Sequence, residues 1–410
     1  MPEDQTTAPV RRQRPKDRKQ QIAENAGRLF VSNGFHAVRM EDIASASGIT
    51  VRALYRHYAH KQALLSYVVH AGQARYLAAI RQSSGAGAPL EGLLHGLATA
   101  ALDSRDLTLL WQREARHLDP EDHDEVRRVL VRIAADVSAA VQDHREDLPS
   151  DSVRLRAWAV LGVLAAPGQY RASLRRPDFD TLLAAACRAA VEAPAGARAT
   201  ARQVTPGPLR MLGSRREQLL ASAAQAFRGC GFVGVGIDDI GAGPGVAGPA
   251  LYRYFDSKAE ILAALVVRLE EWLALESLRA LRSADSDAEV LRALVAGYVR
   301  VVLDAPDMAA VAVSEALHLP DETRNRLHRL RQDREVEWTR WLGIHRPGLP
   351  ATTGRMLAAL AVSVVNDMVR APQSLNVQAK ADELVDIALA IMLDTGVASD
   401  PEPRQRKAGA

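Results

Sequence analysis

The chain has 410 residues, 48% of them hydrophobic, 25% charged and only 5% aromatic, with a formal net charge of +3. The length suggests roughly two or three domains at ~100–200 residues each, and the ordinary apolar fraction excludes wholesale disorder. Two cysteines, Cys187 and Cys230, cannot make a disulfide framework or a four-thiolate zinc site.

Residues 1–15 are basic and lack an apolar core, so they read as a disordered tail rather than a secretory signal. Over 16–60, Ile22, Ala26, Leu29 and Phe30 recur at helical spacing and predict a helix over 17–33 that stops at Gly34. A short helix over 41–47, then Gly48, then a short helix over 51–58 should follow. Two short helices joined by a tight turn containing Gly are the layout of a helix-turn-helix. The Thr50 hydroxyl can cap the second of these helices. Its exposed face offers Thr50, Val51, Arg52, Tyr55, Arg56 and His57, while Ile49, Ala53, Leu54 and Tyr58 anchor it inward. Such a helix suits a major groove, where Arg reads guanine and apolar groups touch the thymine methyl. Between Val10 and Leu65, 11 basic residues stand against four acidic ones, a net of +7. Arg11, Arg12, Arg14, Lys16, Arg18 and Lys19 form a basic arm that can follow phosphates or enter a minor groove. A merely solvated tail would look the same.

Residues 61–192 read as one longer helix followed by about five more, punctuated near Gly85–Pro89, Asp119–Pro120, Pro149–Ser150, Pro167–Gly168 and Arg176–Pro177. Residues 193–213, rich in Pro, Gly and small side chains, read as a linker. Extended at ~3.3 Å per residue, it would reach ~70 Å. No apolar stretch approaches the ~20 residues of a spanning helix, so no membrane contact is expected and the chain reads as cytoplasmic.

Beyond the linker the chain repeats itself. Arg18–Leu65 aligns without a gap to Arg215–Leu262 at an offset of 197, with 16 identities in 48 positions. Glu114-Ala115-Arg116-His117-Leu118 is echoed by Glu315-Ala316-Leu317-His318-Leu319 at an offset of 201. A unit of ~200 residues is too long for a solenoid repeat, so this is a duplicated domain. The second unit has a helix-turn-helix over 214–257, helices over 258–397 and a disordered tail over 398–410. Its opening stretch, Gly207–Leu262, carries six basic and five acidic side chains, a net of only +1.

The segments GFHAVRMEDIASASGITVRALYRHYAHKQALL (Gly34–Leu65) and GFVGVGIDDIGAGPGVAGPALYRYFDSKAEIL (Gly231–Leu262) resemble the TetR family of bacterial transcriptional regulators. The shared pattern is Gly-aromatic, Asp-Ile, Gly, Leu-Tyr-x-x-Phe/Tyr, then Lys. The resemblance implies an all-α fold of two tandem units, each a three-helix helix-turn-helix domain followed by a helical ligand-binding and dimerisation domain. It implies that Tyr55, Tyr252, Lys61 and Lys258 contact phosphate. It also implies that Thr50, Val51, Arg52, Arg56 and His57, and Ala247, Gly248, Pro249, Arg253 and Tyr254, face the groove. Arg39 joins this DNA-binding set. A Thr that the family often carries before the second helix is replaced here by Val38 and Val235. The second unit offers no base-reading side chain at Ala247, Gly248 or Pro249, so it either grips phosphate or serves as a structural partner.

The family's paired last helices fall here at 151–166 and 178–192, and at 352–370 and 378–393. The two units can pair within one chain as a pseudo-dimer, or each with its equivalent in a second chain. By resemblance the middle helices enclose a pocket for a small effector, with Trp111, Glu114, His117 and Trp158 in the first unit and Tyr298, Glu315, His318 and Trp338 in the second. Such a pocket suits a lipophilic or aromatic ligand; Trp at helical spacing is also ordinary core. No cofactor or metal is expected, and the chain does not read as an enzyme. The resulting function is a DNA-binding regulator of operator DNA, a repressor relieved by ligand. Two rivals are a helical ligand carrier or scaffold, and a di-iron carboxylate enzyme using the two Glu-x-x-His pairs. The latter suffers because the pairs belong to separate repeated units.

Overall fold

A computed structural model describes residues 15–83, 90–170, 174–176, 178–195, 213–371 and 373–396. The expected tails, the basic arm at Arg11, Arg12 and Arg14, the Lys16 side chain and most of the linker lie outside the described residues. Among the described residues there is no strand. The first unit runs α1 (Pro15–Asn33), α2 (Met40–Ala46), α3 (Val51–Tyr55), α4 (Lys61–Ser83), α5 (Leu90–Asp103), α6 (Arg105–Glu114), α7 (Pro120–His144), α8 (Ser150–Gln169) and α9 (Asp178–Glu192). The second repeats the order as α10 (Arg215–Gly234), α11 (Ile237–Ala242), α12 (Gly248–Leu251), α13 (Lys258–Ser283), α14 (Asp287–Asp304), α15 (Pro306–Ser314), α16 (Asp321–His345), α17 (Ala351–Asp367) and α18 (Ala381–Leu393). A 3-10 turn follows α6 at Ala115–His117 and α15 at Ala316–His318.

The glycines named in the repeat perform the same backbone task twice. Gly34 and Gly231 take φ of +80° and +74°, and Gly48 and Gly245 take +61° and +68°. These left-handed conformations strain any side chain, so the first pair ends the opening helix and the second makes the turn. The carboxylates of Asp42 and Asp239 reach back to the N–H groups of Arg39 and Gly236, at 2.8 and 2.6 Å. They thereby satisfy donors that the starts of α2 and α11 would leave unpaired. Val38 and Val235, where the family often carries Thr, are buried in the cores.

Three expectations shift. The helix expected over 51–58 closes after Tyr55, and α12 is a single turn of four residues. Helix α8 continues through Pro167 to Gln169 instead of breaking there. Proline removes one N–H, but here it falls in the last turn of a helix held by packing, with Gly168 seated so close that a Cβ would lie 2.6 Å from Arg105 O. Helix α18 begins at Ala381, after a 3-10 turn over Val377–Lys380, rather than at 378.

The units pack together through α8 and α9 of the first against α17 and α18 of the second. A Cβ on Gly162 would stand 2.8 Å from Val364 Cα, so the absence of a side chain lets the two backbones approach. Ser363 Oγ donates to Gly162 O at 2.9 Å. Their separation in the chain is 201, the repeat offset, so equivalent positions meet and the crossing is a local two-fold.

Beside it lies an asymmetric anchor. Arg156 is fully buried. Its guanidinium donates to the carbonyls of Ser152, Val191, Ala193 and Pro194 and to Glu383 of α18. Glu383 also accepts from Ser152 Oγ, at 2.9 Å. Burial works against the Glu383 charge, but Arg156, Ser152 and Lys380 outweigh it and hold the carboxyl below its ordinary range. A depressed carboxyl stabilises the fold above its unfolded pKa, and that stability is lost as pH falls through the folded value. The equivalent of Arg156 in the second unit is Leu357, also buried. Arg156→Leu leaves the buried Glu383 with only Ser152 and Lys380, so it should cost up to about 3–5 kcal/mol. Arg156→Leu with Glu383→Leu should recover much of that. Urea titrations of the three chains check this; equal stability in the single and double variants would refute it.

Candidate nucleic-acid interface

Helix α3 is amphipathic within one and a half turns. Leu54 and Tyr58 are buried, while Thr50, Arg52, Tyr55 and Arg56 are exposed and Val51 and His57 are half-buried. Thr50 Oγ1 accepts from Ala53 N–H at 3.2 Å and caps the helix, as its position before Val51 allows. The Tyr58 hydroxyl donates to Lys19 O at 3.0 Å, and the Lys19 ammonium stands over the rings of Tyr58 and Tyr67. Helix α3 is thus clamped from behind while Arg52, Tyr55 and Arg56 are exposed. Arg39 is exposed at the start of α2. Tyr55 is 50% exposed and Tyr252 is 55% exposed.

The second head differs. Ala247, Pro249, Tyr252, Arg253 and Tyr254 are exposed, but Gly248 is buried. A Cβ at Gly248 would lie 2.1 Å from Asp238 Oδ1. The expectation that Gly248 faces a groove is therefore corrected: its backbone is pressed against the acidic start of α11.

The two lysines expected on phosphate have other ties. Lys61 Nζ donates to the carbonyls of Phe35 and Val38 at 2.8 and 2.9 Å and stands 4.3 Å from the Phe35 ring centroid. Lys258 Nζ donates to Val235 O at 2.8 Å and stands over Phe232. Burial pushes both ammonium groups below the ordinary lysine range. Any phosphate at these lysines competes with those carbonyls.

Of the eight expected pocket residues, four line cavities. Trp111 and Trp158 line a cavity of about 350 Å³ between α4, α6, α7 and α8, with Tyr76 and Leu130. Asp367 and Arg370 of the second unit also line it. Gln73 gives its Nε2 to Val126 O at 2.7 Å, and its buried Oε1 has no partner among the described residues. Tyr298 and Trp338 line a smaller cavity of about 130 Å³ in the second unit, to which Arg113, Gln169 and Tyr170 of the first contribute. There Glu270 is paired with Arg331 and Arg334 at 3.3 and 2.5 Å, so much of the space is taken by a salt-bridged cluster.

Glu114, His117, Glu315 and His318 line neither cavity. They form the joint between each head and its helical body. Glu114 Oε2 accepts from Phe35 N–H at 3.3 Å, and Glu315 Oε2 accepts from Phe232 N–H at 3.0 Å. His117 stacks on Phe35, and His318 on Phe232, at 5.4 and 5.1 Å between centroids. Sequence spacing shows the Glu-x-x-His repeat but not its partner, because the two Phe amides lie 79 and 83 residues upstream of their glutamates. The two joints also adjoin, contrary to the separation inferred from the sequence: Arg116 of one pairs with Glu315 of the other at 2.5 Å. A backbone amide holds each carboxylate, and Arg116 also pairs with that of Glu315.

The residues 22–68 and 219–265 each match the family described as bacterial regulatory proteins, tetR family. The HTH-type transcriptional activator FasR of Mycolicibacterium smegmatis is 36% identical over 84 residues, 20% of this chain and 38% of that protein. The HTH-type transcriptional regulator UidR of Escherichia coli is 33% identical over 72 residues, 18% of this chain and 34% of that protein. The chain thus spans little more than a third of the length of these curated relatives. A crystal structure of a TetR-family transcriptional regulator from Bordetella parapertussis aligns with 45% of this chain and 96% of its own, at 19% identity and a TM-score of 0.42. No described helix is long and apolar enough to cross a membrane.

The joint carries a pH dependence. Burial first, then the charges of Arg116, His36 and Lys61, lower the His117 imidazole to about 3. It is neutral in the folded chain, whereas the unfolded chain takes up its proton near 6.5. Stability from this site is therefore complete above that value and falls as the pH drops towards the folded pKa. Between about pH 7.5 and about pH 5, His117→Phe should lose less stability than the parent chain. Urea titrations at both pH values test it, and equal losses would count against the assignment.

Proposed function

We propose, for a chain that belongs to the tetR family of bacterial regulatory proteins through two helix-turn-helix segments, that it is a transcriptional regulator reading operator DNA as an intramolecular pseudo-dimer. Residues 16–60 and 214–257 are its reading heads, and 61–192 and 258–397 its effector and pairing bodies. The observation that carries the reading is the outward face of α3, where Arg52, Tyr55 and Arg56 stand exposed over a buried Leu54. The crossing at Gly162 and Ser363 supports pairing within the chain, since it matches equivalent helices in the manner of a symmetric dimer.

The heads are unequal. Phosphate attraction dominates DNA affinity, so the net of +7 around the first head against +1 around the second makes the first the stronger grip. The second keeps Tyr252, Arg253 and Tyr254 for backbone contact. The operator is accordingly two unlike half-sites about one helical turn or more apart. Regulation is relief of repression by a ligand in the larger cavity. The Tyr76, Trp111 and Trp158 rings favour a lipophilic or aromatic body, and the orphan Gln73 Oε1 asks for one hydrogen-bond donor.

Selection from a random duplex library tests the reading. The intact chain should enrich two unlike half-sites. Arg56→Ala should degrade one at a cost of about 1–3 kcal/mol, and Arg253→Ala should weaken the other, more uniformly across sequences. A symmetric palindrome with two chains bound would refute the pseudo-dimer; no enrichment at low salt would favour a carrier or scaffold. For the ligand, compounds with an apolar body and one donor should raise the thermal midpoint and release duplex. Gln73→Leu should weaken both effects by roughly the value of one hydrogen bond, about 1 kcal/mol. Equal effects on both chains would remove Gln73 from the site.

A further inference from the structure

The joints of the two heads are chemically alike but connected differently. Arg116 follows Ala115, which lines the first unit's cavity. Its side chain leaves its own unit and pairs with Glu315. Glu315 is fully buried and holds the Phe232 N–H with its other oxygen. The guanidinium also lies against Gly231: a Cβ there would be 2.5 Å from Arg116 Nε and 2.6 Å from Cζ. Gly231 is the non-helical kink inside α10, after which the chain turns towards α11.

Among the described residues no equivalent ion pair reaches from the second unit to Glu114. The equivalent of Arg116 in the second unit is Leu317, which has no charge to offer Glu114. A Cβ at Gly34 would meet only Glu114 Oε1, at 4.0 Å, an atom of its own unit. The apolar cores differ in the same sense. Phe227, Ile240 and Leu251 of the second head belong to one cluster with the core between the units. Phe30, Ile43 and Leu54 of the first head form a separate cluster.

We propose that Arg116 is a positioning residue for the second reading head: a strut from the first unit's effector helices that sets the orientation of residues 231–257, with no counterpart for the first head. The strut stands on contacts in the free chain; its consequence for DNA rests on the regulator reading above. Glu114 and Arg116 flank the cavity residue Ala115. A displacement in the first cavity therefore reaches the first head through Glu114 and the second through Arg116. The second cavity, which Arg113 of the first unit also lines, adjoins the second head's joint through Ala316, the residue after Glu315.

Hydrogen–deuterium exchange on the full-length chain, without DNA, tests the strut directly. Arg116→Leu, which installs the residue found at the equivalent place, should speed exchange within 231–257 by roughly tenfold and leave 34–60 unchanged. Glu315→Gln keeps an oxygen for the Phe232 N–H but removes the charge facing Arg116. It should act in the same direction and carries the test should Arg116→Leu fail to fold. Arg116→Lys keeps the charge and should restore part of the protection. Library selection then reads the consequence: the intact chain should prefer one spacing between half-sites, and Arg116→Leu should accept a wider range with each half-site sequence unchanged. Exchange that is unaltered, or raised equally in both heads, would overturn the strut. Unchanged spacing preference despite faster exchange would overturn its positioning role. Failure of the intact chain to select any sequence would instead remove the DNA reading and leave the exchange result to decide the strut.

Discussion

The close crossing of α8 and α17 is the constraint on which the other contacts depend. Only a glycine at position 162 lets the α17 backbone come so near, and that approach sets the separation of everything mounted on the two bodies. In a symmetric dimer such a crossing would be assembled from solution, at the cost of lost translational and rotational freedom. Where the chain itself supplies the second surface, as the proposed pseudo-dimer would, pairing would not depend on protein concentration. It also frees the two sides to differ. Arg156 and Glu383 form a buried pair across one flank of the bundle, while the equivalent of Arg156 is the apolar Leu357.

The same division of labour, shared scaffold and divergent detail, runs through the head joints. In both units a buried glutamate holds the amide that follows a left-handed glycine, a histidine stacks on the adjacent Phe, and a lysine approaches that ring as well. This is a compact way to fix a small three-helix domain whose own core is only a handful of side chains. A carboxylate accepting from a backbone N–H is stronger than a neutral bond, and it fails if the head tilts. The joint therefore rigidifies the head while remaining adjacent to cavity walls that a ligand could move.

Much of this is legible in the sequence because it is written twice. The coincidence of Gly-Phe, Asp-Ile, Gly and Leu-Tyr at one offset locates the turns, the caps and the recognition helices. The helix that the resemblance implies over 178–192 is found at those bounds. What escapes are features that depend on distant partners. Pro167 looks like a stop because local preference says so, whereas packing against Arg105 and Leu109 keeps the helix running. Glu114, His117, Glu315 and His318 look like pocket residues because polar groups amid apolar helices often are. Their partners are backbone amides and rings far upstream in each unit, which periodicity does not reveal. Gly248 looks exposed because neighbouring positions are; the Asp238 carboxylate that covers it sits in the preceding helix.

The buried Arg156 has one more implication, for which other chains this one can join. Were two first units to pair with each other, each Arg156 would face Leu182, the first-unit equivalent of Glu383, and leave a guanidinium charge without its carboxylate in the interior. Were two second units to pair, Glu383 would lie against apolar Leu357. Both mismatches are costly in a dry interface, and only the mixed pair avoids them. A bacterium that holds many proteins of this fold risks mixed dimers that bind no useful site. An ion pair divided between the two halves would disfavour such exchange.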